Sequence, residues 1–368
     1  MSEKERLEHF ERLLREGLQR GMSRRQLLRH GLIMGLSFPA VIGALAACGA
    51  PPERRIAPPS AIPTAIVRQP AVAQAQPTTA PPTAAPPTIE LPTTTAEPSP
   101  LPPSTAVPAT ARFAVIGDFG MAGEPEGAVA ALVKGWAPAF VLTTGDNNYP
   151  DGEAATIDAN IGQYYHEFIY PYSGSYGPGA STQRFFPVLG NHDWVVGYPR
   201  PYLDYFSLDD QRYYHFDWGA ARFFMLDSMP GEPDGITADS VQGQWLQREL
   251  ASSTATWKIV VMHHPPYSSG HHGSSDWMQW PYQDWGANLV LAGHDHDYER
   301  ITLDGLTYLV NGLGGGARYA PGTQEVAGSQ LFFNRDHGAM LVEIVGPRLR
   351  AQFVSRAGEV VDDFELSA

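Results

Sequence analysis

Beyond residue 110 the chain alternates short apolar runs with polar loops, the rhythm of buried strands rather than of long helices. Phe113 to Ile116 is the first run and closes on Gly117-Asp118-Phe119-Gly120; Gly127 to Trp136 carries helical spacing; Phe140 to Thr144 is the next run and closes on Gly145-Asp146-Asn147-Asn148-Tyr149. Strand, helix and strand in that order predict an α/β domain, and the C-terminal tips of such strands border the crevice where ligands bind. Three further runs end in the same way. Phe185 to Leu189 leads into Gly190-Asn191-His192-Asp193, Trp257 to Met262 into His263-His264-Pro265-Pro266-Tyr267, and Ala287 to Ala292 into Gly293-His294-Asp295-His296-Asp297-Tyr298-Glu299-Arg300. Tyr213 to Phe216, Arg222 to Leu226, Leu306 to Val310, Met340 to Val345 and Leu349 to Val354 have β-rich or alternating patterns that complete one or two sheets, and Val241 to Leu250 reads as a surface helix. The tryptophans between Asp276 and Trp285 fit packing better than binding, in a helix or a lid. Gly312 to Gly316 lacks the lysine of a phosphate loop, which leaves close backbone approach, a mobile turn and substrate contact as alternatives.

The first 110 residues have another texture. Residues 1–22 mix charges with an apolar spacing compatible with a short amphipathic helix and offer no chemistry. Ser23-Arg24-Arg25-Gln26-Leu27-Leu28 then precedes an uncharged run from Gly31 to Ala47, the order of an export signal. The run is shorter than the ~20 apolar residues of a spanning helix, and Gly35, Pro39 and Gly43 interrupt it. The paired arginines resemble the twin-arginine signal of bacteria, and Leu45-Ala46-Ala47-Cys48 resembles a lipobox, after which Cys48 becomes the lipidated first residue. An uncleaved membrane anchor is the alternative; either way the protein is expected to be exported and tethered to the outer face of the cytoplasmic membrane. The remainder up to residue 110 is dominated by Pro, Ala and Thr, too poor in large apolar side chains to form a core. The expected division is a signal peptide at 1–47, lipidated Cys48 and a disordered stalk at 48–110, and a catalytic domain at 111–368.

Charge narrows the partners. The net charge is −14, and beyond residue 47 it reaches −17, which argues against a nucleic-acid-binding role. The single cysteine excludes an intramolecular disulfide and a thiolate metal site. Seven of the ten histidines beyond residue 110 fall at three places, namely His192, the group His263, His264, His271 and His272, and the pair His294 and His296. Set beside Asp118, Asp146 and Asn191 at the other strand tips, they make an oxygen and nitrogen ligand set suited to iron, zinc or manganese. In an extended segment His294 and His296 face the same side, so each is expected to serve one ion of a pair. Glu299 and Arg300 are expected to pair with each other.

The order Asp118-x-Gly120, Gly145-Asp146-x-x-Tyr149, Gly190-Asn191-His192-Asp193, Val260-x-x-His263 and Gly293-His294-x-His296 resembles the purple acid phosphatases, a branch of the binuclear metallophosphoesterases. The resemblance covers most of residues 111–300. It implies a four-layer αββα sandwich of two mixed β-sheets flanked by helices. It implies Fe(3+) held by Asp118, Asp146, Tyr149 and His296, and a divalent ion, Zn, Fe or Mn, held by Asp146, Asn191, His263 and His294, with Asp146 as the bridge. His264 is the fallback for His263. The resemblance also implies that a metal-activated hydroxide would attack the phosphate ester, that His192 would stabilise the phosphoryl oxygens, and that His272, alone or with His271, would protonate the leaving group. Asp193 and Asp297 are expected to orient imidazoles. The chain lacks the separate β-sandwich domain and the cysteines of the large plant enzymes, and the oligomeric state stays undetermined. The leading expectation is an extracytoplasmic phosphomonoesterase, with a phosphodiesterase using the same site, acting on nucleotides or lipid head groups, and a non-catalytic metal- or phosphate-binding lipoprotein as the rivals.

Overall fold

The computed structural model describes residues 110–368; the expected signal, Cys48 and the stalk up to residue 109 lie outside the described residues. In chain order the elements are β1 (Thr110–Ile116), α1 (Glu124–Gly135), β2 (Phe140–Thr143), β3 (Phe185–Phe186), β4 (Tyr214–Trp218), β5 (Ala221–Met225), α2 (Val241–Ser252), β6 (Trp257–Val261), β7 (Leu289–Ala292), β8 (Tyr298–Leu303), β9 (Leu306–Asn311), β10 (Ser329–Phe333), β11 (Gly338–Val345), β12 (Arg348–Ser355) and β13 (Val360–Ser367), with short helical turns between β2 and β4. They form a six-stranded sheet ordered β13-β12-β11-β1-β2-β3 and a seven-stranded sheet ordered β10-β8-β9-β7-β6-β5-β4. Pairing is parallel from β1 through β3 and from β5 through β6 and β7 to β9, and antiparallel elsewhere. Both sheets are therefore mixed.

Alternation along the strands divides the core into three seams. Phe113, Val115, Phe140 and Leu142 of one sheet meet Phe223, Ile259 and Leu289 of the other. The opposite faces pack outward: Ala114, Ile116 and Val141 join Val129 and Val133 of α1, and Phe224, Val260 and Val290 join Leu246 and Leu250 of α2. Three seams between four layers give the αββα sandwich. The helix ends are locally encoded: α1 begins with a proline and acidic residues and ends near Lys134, which suits its dipole, while the Ser240 side chain caps α2 by accepting from the Gly243 N–H at 3.1 Å.

Some expectations change. β3 is only two residues long because Pro187 follows and has no N–H for a ladder. Tyr298 to Leu303 is a strand rather than the tail of a polar motif, and its alternation sends Glu299 and Arg300 to opposite faces. Their expected pairing is not made. Arg300 Nε donates to Asp362 at 2.7 Å, whereas the Glu299 carboxylate accepts from Ser269 N–H at 2.7 Å, Ser269 Oγ at 2.6 Å and Ser329 Oγ at 2.5 Å. The tryptophan-rich stretch contains one 3₁₀ turn, Asp276–Met278, and buries Trp280 in the seam beside α2, which is the packing role.

Candidate metal centre

The parallel strands bring their C-terminal tips to one edge of the sandwich. The loop after β1 carries Asp118, that after β2 carries Asp146 and Tyr149, and the chain beyond β3 carries Asn191 and His192; from the other sheet, β6 delivers His263, and β7 delivers His294 and His296. Cross-loop bonds lock the tips, with Asp118 N–H donating to Gly145 O at 3.0 Å and Tyr149 N–H to Gly120 O at 2.8 Å. Asp118, Asp146 and His294 all adopt left-handed backbone, at φ 53°, 51° and 70°. Such residues cost roughly 1–3 kcal/mol each and persist where the surroundings over-determine them. The loop from Gly312 closes the floor by close approach, since a Cβ on Gly312 would lie 2.1 Å from Asp295 O and 2.8 Å from Asp118 Oδ2.

The seven expected ligands come together as two groups sharing Asp146. On one side Asp118, Asp146 and His296 present ligand atoms within 4.8 Å of one another, and the Tyr149 hydroxyl sits 3.0 Å from Asp146 Oδ2 and 3.1 Å from His296 Nε2. On the other, His263 Nε2 lies 3.0 Å from Asn191 Oδ1, 3.2 Å from His294 Nδ1 and 3.5 Å from Asp146 Oδ1. The two carboxylate oxygens of Asp146 thus face different groups. His264 also presents a ligand atom within 4.8 Å of those of His263 and His294, but it is His263 Nε2 that meets Asn191 Oδ1 and Asp146 Oδ1, so His263 is the better placed of the two. His294 and His296 do part between the groups, though not by extended geometry. A left-handed turn at His294 does it, with the His294 N–H donating to both oxygens of Asp118 at 3.2 and 2.9 Å.

Tautomers follow from the partners. A carbonyl oxygen only accepts, so His263 Nδ1–H donates to Thr144 O, His192 Nδ1–H to Pro150 O, and His296 Nδ1–H to Ala317 O. Each ring is left with Nε2 facing inward, and for His263 and His296 that inward atom meets the oxygen ligands. Carbonyls at the strand tips therefore orient these imidazoles; Asp193 and Asp297 do not, which corrects the expected roles. The Asp193 carboxylate instead takes the Gly190 N–H at 2.9 Å and Asn147 Nδ2 at 2.9 Å, holding the Asp146 loop against the Asn191 loop. Asp297 keeps one buried carboxylate oxygen without a hydrogen-bond partner. His192 stacks on Tyr149 at 4.3 Å, and His272 stacks on His294 at 4.3 Å, with His271 beside it at 5.1 Å. Tyr319, which carried no sequence signal, lies on His296 at 4.3 Å.

The charges explain what such a site is for. Burial pushes the Asp118 carboxyl well above its usual range, against the pull of His263 and with the push of Asp146. Burial also pushes Asp146 upward, but His263 and His192 outweigh it and hold that carboxyl below its usual range. Burial, then the Asp146 and Asp118 charges, push the Tyr149 phenol well up, and burial lowers His294 and His296 into the neutral form that binds metals. Buried acceptors crowded around inward imidazole lone pairs form a donor set that fits two cations.

Removing metal should expose this crowding. Burial and the Asp146 charge raise Asp193 from 3.8 to about 7, and Asp118 and Asp297 shift in the same direction. Carboxyls raised in the fold take up protons on folding, so their contribution is present at low pH and lost as pH climbs through the raised values. The lowered His294 and His296 act in the opposite sense, but only as pH falls through the ordinary histidine value of 6.5, so chelated protein is expected to have a lower denaturation midpoint at about pH 9 than at about pH 7. A midpoint that rises over that interval contradicts this reading.

The calcineurin-like phosphoesterase family model matches residues 111–298. Purple acid phosphatase 7 of Arabidopsis thaliana is 25% identical over 288 residues, covering 69% of this chain and 85% of that protein. Among solved structures, the purple acid phosphatase PPD1 from yellow lupin (Lupinus luteus) seeds superposes with a TM-score of 0.57 at 18% identity, over 71% of this chain and 55% of that one. GAP50, described as the anchor in the inner membrane complex of Plasmodium, superposes with a TM-score of 0.56 at 22% identity, over 70% of this chain and 89% of that one.

Proposed function

Because this chain belongs to the calcineurin-like phosphoesterases, we propose that it is an exported phosphomonoesterase with a ferric ion beside a divalent ion, Zn, Fe or Mn. It is a binuclear-metal phosphoester hydrolase with purple acid phosphatase relatives. The observation that carries the finer reading is Asp146, which turns Oδ2 toward Tyr149 and Oδ1 toward His263. Asp118, Tyr149 and His296 would hold the ferric ion with it, and Asn191, His263 and His294 the divalent one. When bound, the metal pair lowers the pKa of water and offsets the charge of the phosphate.

The chain's own side chains supply the rest. His192 turns Nε2 toward the shared carboxylate, 3.9 Å from Asp146 Oδ2, and from there the imidazolium form, its Nδ1–H kept on Pro150 O, would donate its Nε2–H to a phosphoryl oxygen. His272, on the rim against His294, would give its proton to the leaving alkoxide. Export and tethering rest on Arg24-Arg25 and on Leu45-Ala46-Ala47-Cys48, and would put the domain outside the membrane that holds it.

The test is the full protein assayed for metal content, visible colour and rates on a matched monoester and diester. Two ions per chain, a tyrosinate-to-iron band and faster monoester turnover are expected. Tyr149→Phe should lose that band, because the Tyr149 hydroxyl meets both Asp146 Oδ2 and His296 Nε2; a variant that keeps the colour contradicts the assignment. A second reading is metal or phosphate binding at the same ligand groups without turnover. Metals bound with no hydrolysis would select it.

A further inference from the structure

Between the two histidines at the β7 tip stands Asp295, fully buried and not among the groups that face the metal positions. Its carboxylate is wrapped by the loop 268–273. Oδ1 accepts from the His272 N–H at 2.6 Å, and Oδ2 accepts from Ser268 Oγ at 2.5 Å and from the Gly273 N–H at 3.2 Å. Ser268 Oγ in turn accepts from the Gly270 N–H at 2.9 Å. Gly270 packs so closely that a Cβ there would lie 2.4 Å from Asp295 Cγ and 2.4 Å from Asp297 Oδ2. Below the same loop, Glu299 holds Ser269 by both its N–H and its hydroxyl.

One carboxylate therefore joins the backbone that carries His294 and His296 to the backbone that carries His271 and His272. We propose that Asp295 is a positioning residue, which fixes the His272 backbone so that its ring stays against His294 and within reach of the departing oxygen. This rests on the reading of His272 as the proton donor. The physical reason is geometric: a segment of two serines, two glycines and two histidines has many conformations when unconstrained, and a buried acceptor taking three of its donors leaves one. Asparagine at 295 keeps the shape but offers one acceptor oxygen in place of two, and its amide N–H₂ faces donors.

A proton donor matters little when the leaving group is a nitrophenolate and much when it is an alkoxide. A merely structural defect slows both esters alike. His272→Ala is expected to slow an alkyl phosphate about 100-fold, and 4-nitrophenyl phosphate by less than about tenfold. Asp295→Asn, with its metal content unchanged, is expected to shift the alkyl-to-aryl rate ratio about tenfold in the same direction, and the double variant to be no more selective than His272→Ala. Ser268→Ala, which removes one donor to Asp295 and the acceptor of the Gly270 N–H, is expected to shift the ratio about threefold and serves if Asp295→Asn does not fold. If His272→Ala discriminates between the esters while Asp295→Asn and Ser268→Ala slow both equally, the positioning role is overturned and the donor stands. If His272→Ala does not discriminate, the donor reading fails, and the positioning role fails with it.

Discussion

Asp146→Asn is expected to lower phosphate-ester hydrolysis by about a thousandfold or more, which is about 4 kcal/mol of transition-state stabilisation. The carboxylate is buried and has an oxygen toward each ligand group, 3.0 Å from the Tyr149 hydroxyl and 3.5 Å from His263 Nε2. It also fixes the next loop by accepting the His192 N–H at 2.8 Å. Asparagine keeps the size of the side chain, yet it removes one negative charge and gives one side of the pair an N–H₂ that cannot ligate. Elemental analysis should find the metal content falling from two ions toward one. A variant with two ions and wild-type rates contradicts the bridge.

His192→Ala has the second-largest expected effect, a fall in kcat of about 10²–10³ with both metals retained. The His192 ring stands outside both ligand groups. Its Nδ1–H is committed to Pro150 O at 2.6 Å, and Nε2 is left facing the shared carboxylate. Loss of the ring removes the donor that faces the phosphoryl oxygens and leaves the strand tips that hold the ligands in place. Steady-state kinetics with metal analysis separates this from a loading defect: a low kcat at full metal content is expected, and a fall in rate that tracks lost metal contradicts it.

The strand tips were legible because residues 113–116, 140–142, 259–262 and 289–292 are buried on both faces and read as unbroken apolar runs, and a ligand residue follows closely on each. Asp118, Asp146 and His294 are found this way without any knowledge of pairing, whereas the choice of His263 over His264 needed the family resemblance. What escaped the sequence has a common physical cause. The atoms that orient the imidazoles are the carbonyls of Thr144, Pro150 and Ala317, and a carbonyl looks the same at every position of a chain. The left-handed turn at His294 was likewise hidden, because histidine carries no marker of positive φ as glycine does. Glu299 and Arg300 invite pairing as neighbours, but a strand separates them by its pleat, and the partner of Arg300 comes from Asp362, sixty-two residues on. Tyr319 and Asp295 matter through contacts over the centre and under a loop, which only the assembled fold brings together.

The most direct test of the binuclear centre is a titration of chelated full-length protein with metal, following activity against equivalents added. Activity that rises only as the second equivalent per chain is bound is predicted. Full activity in the chelated protein, or at one equivalent, would contradict a centre built on two ions that share Asp146.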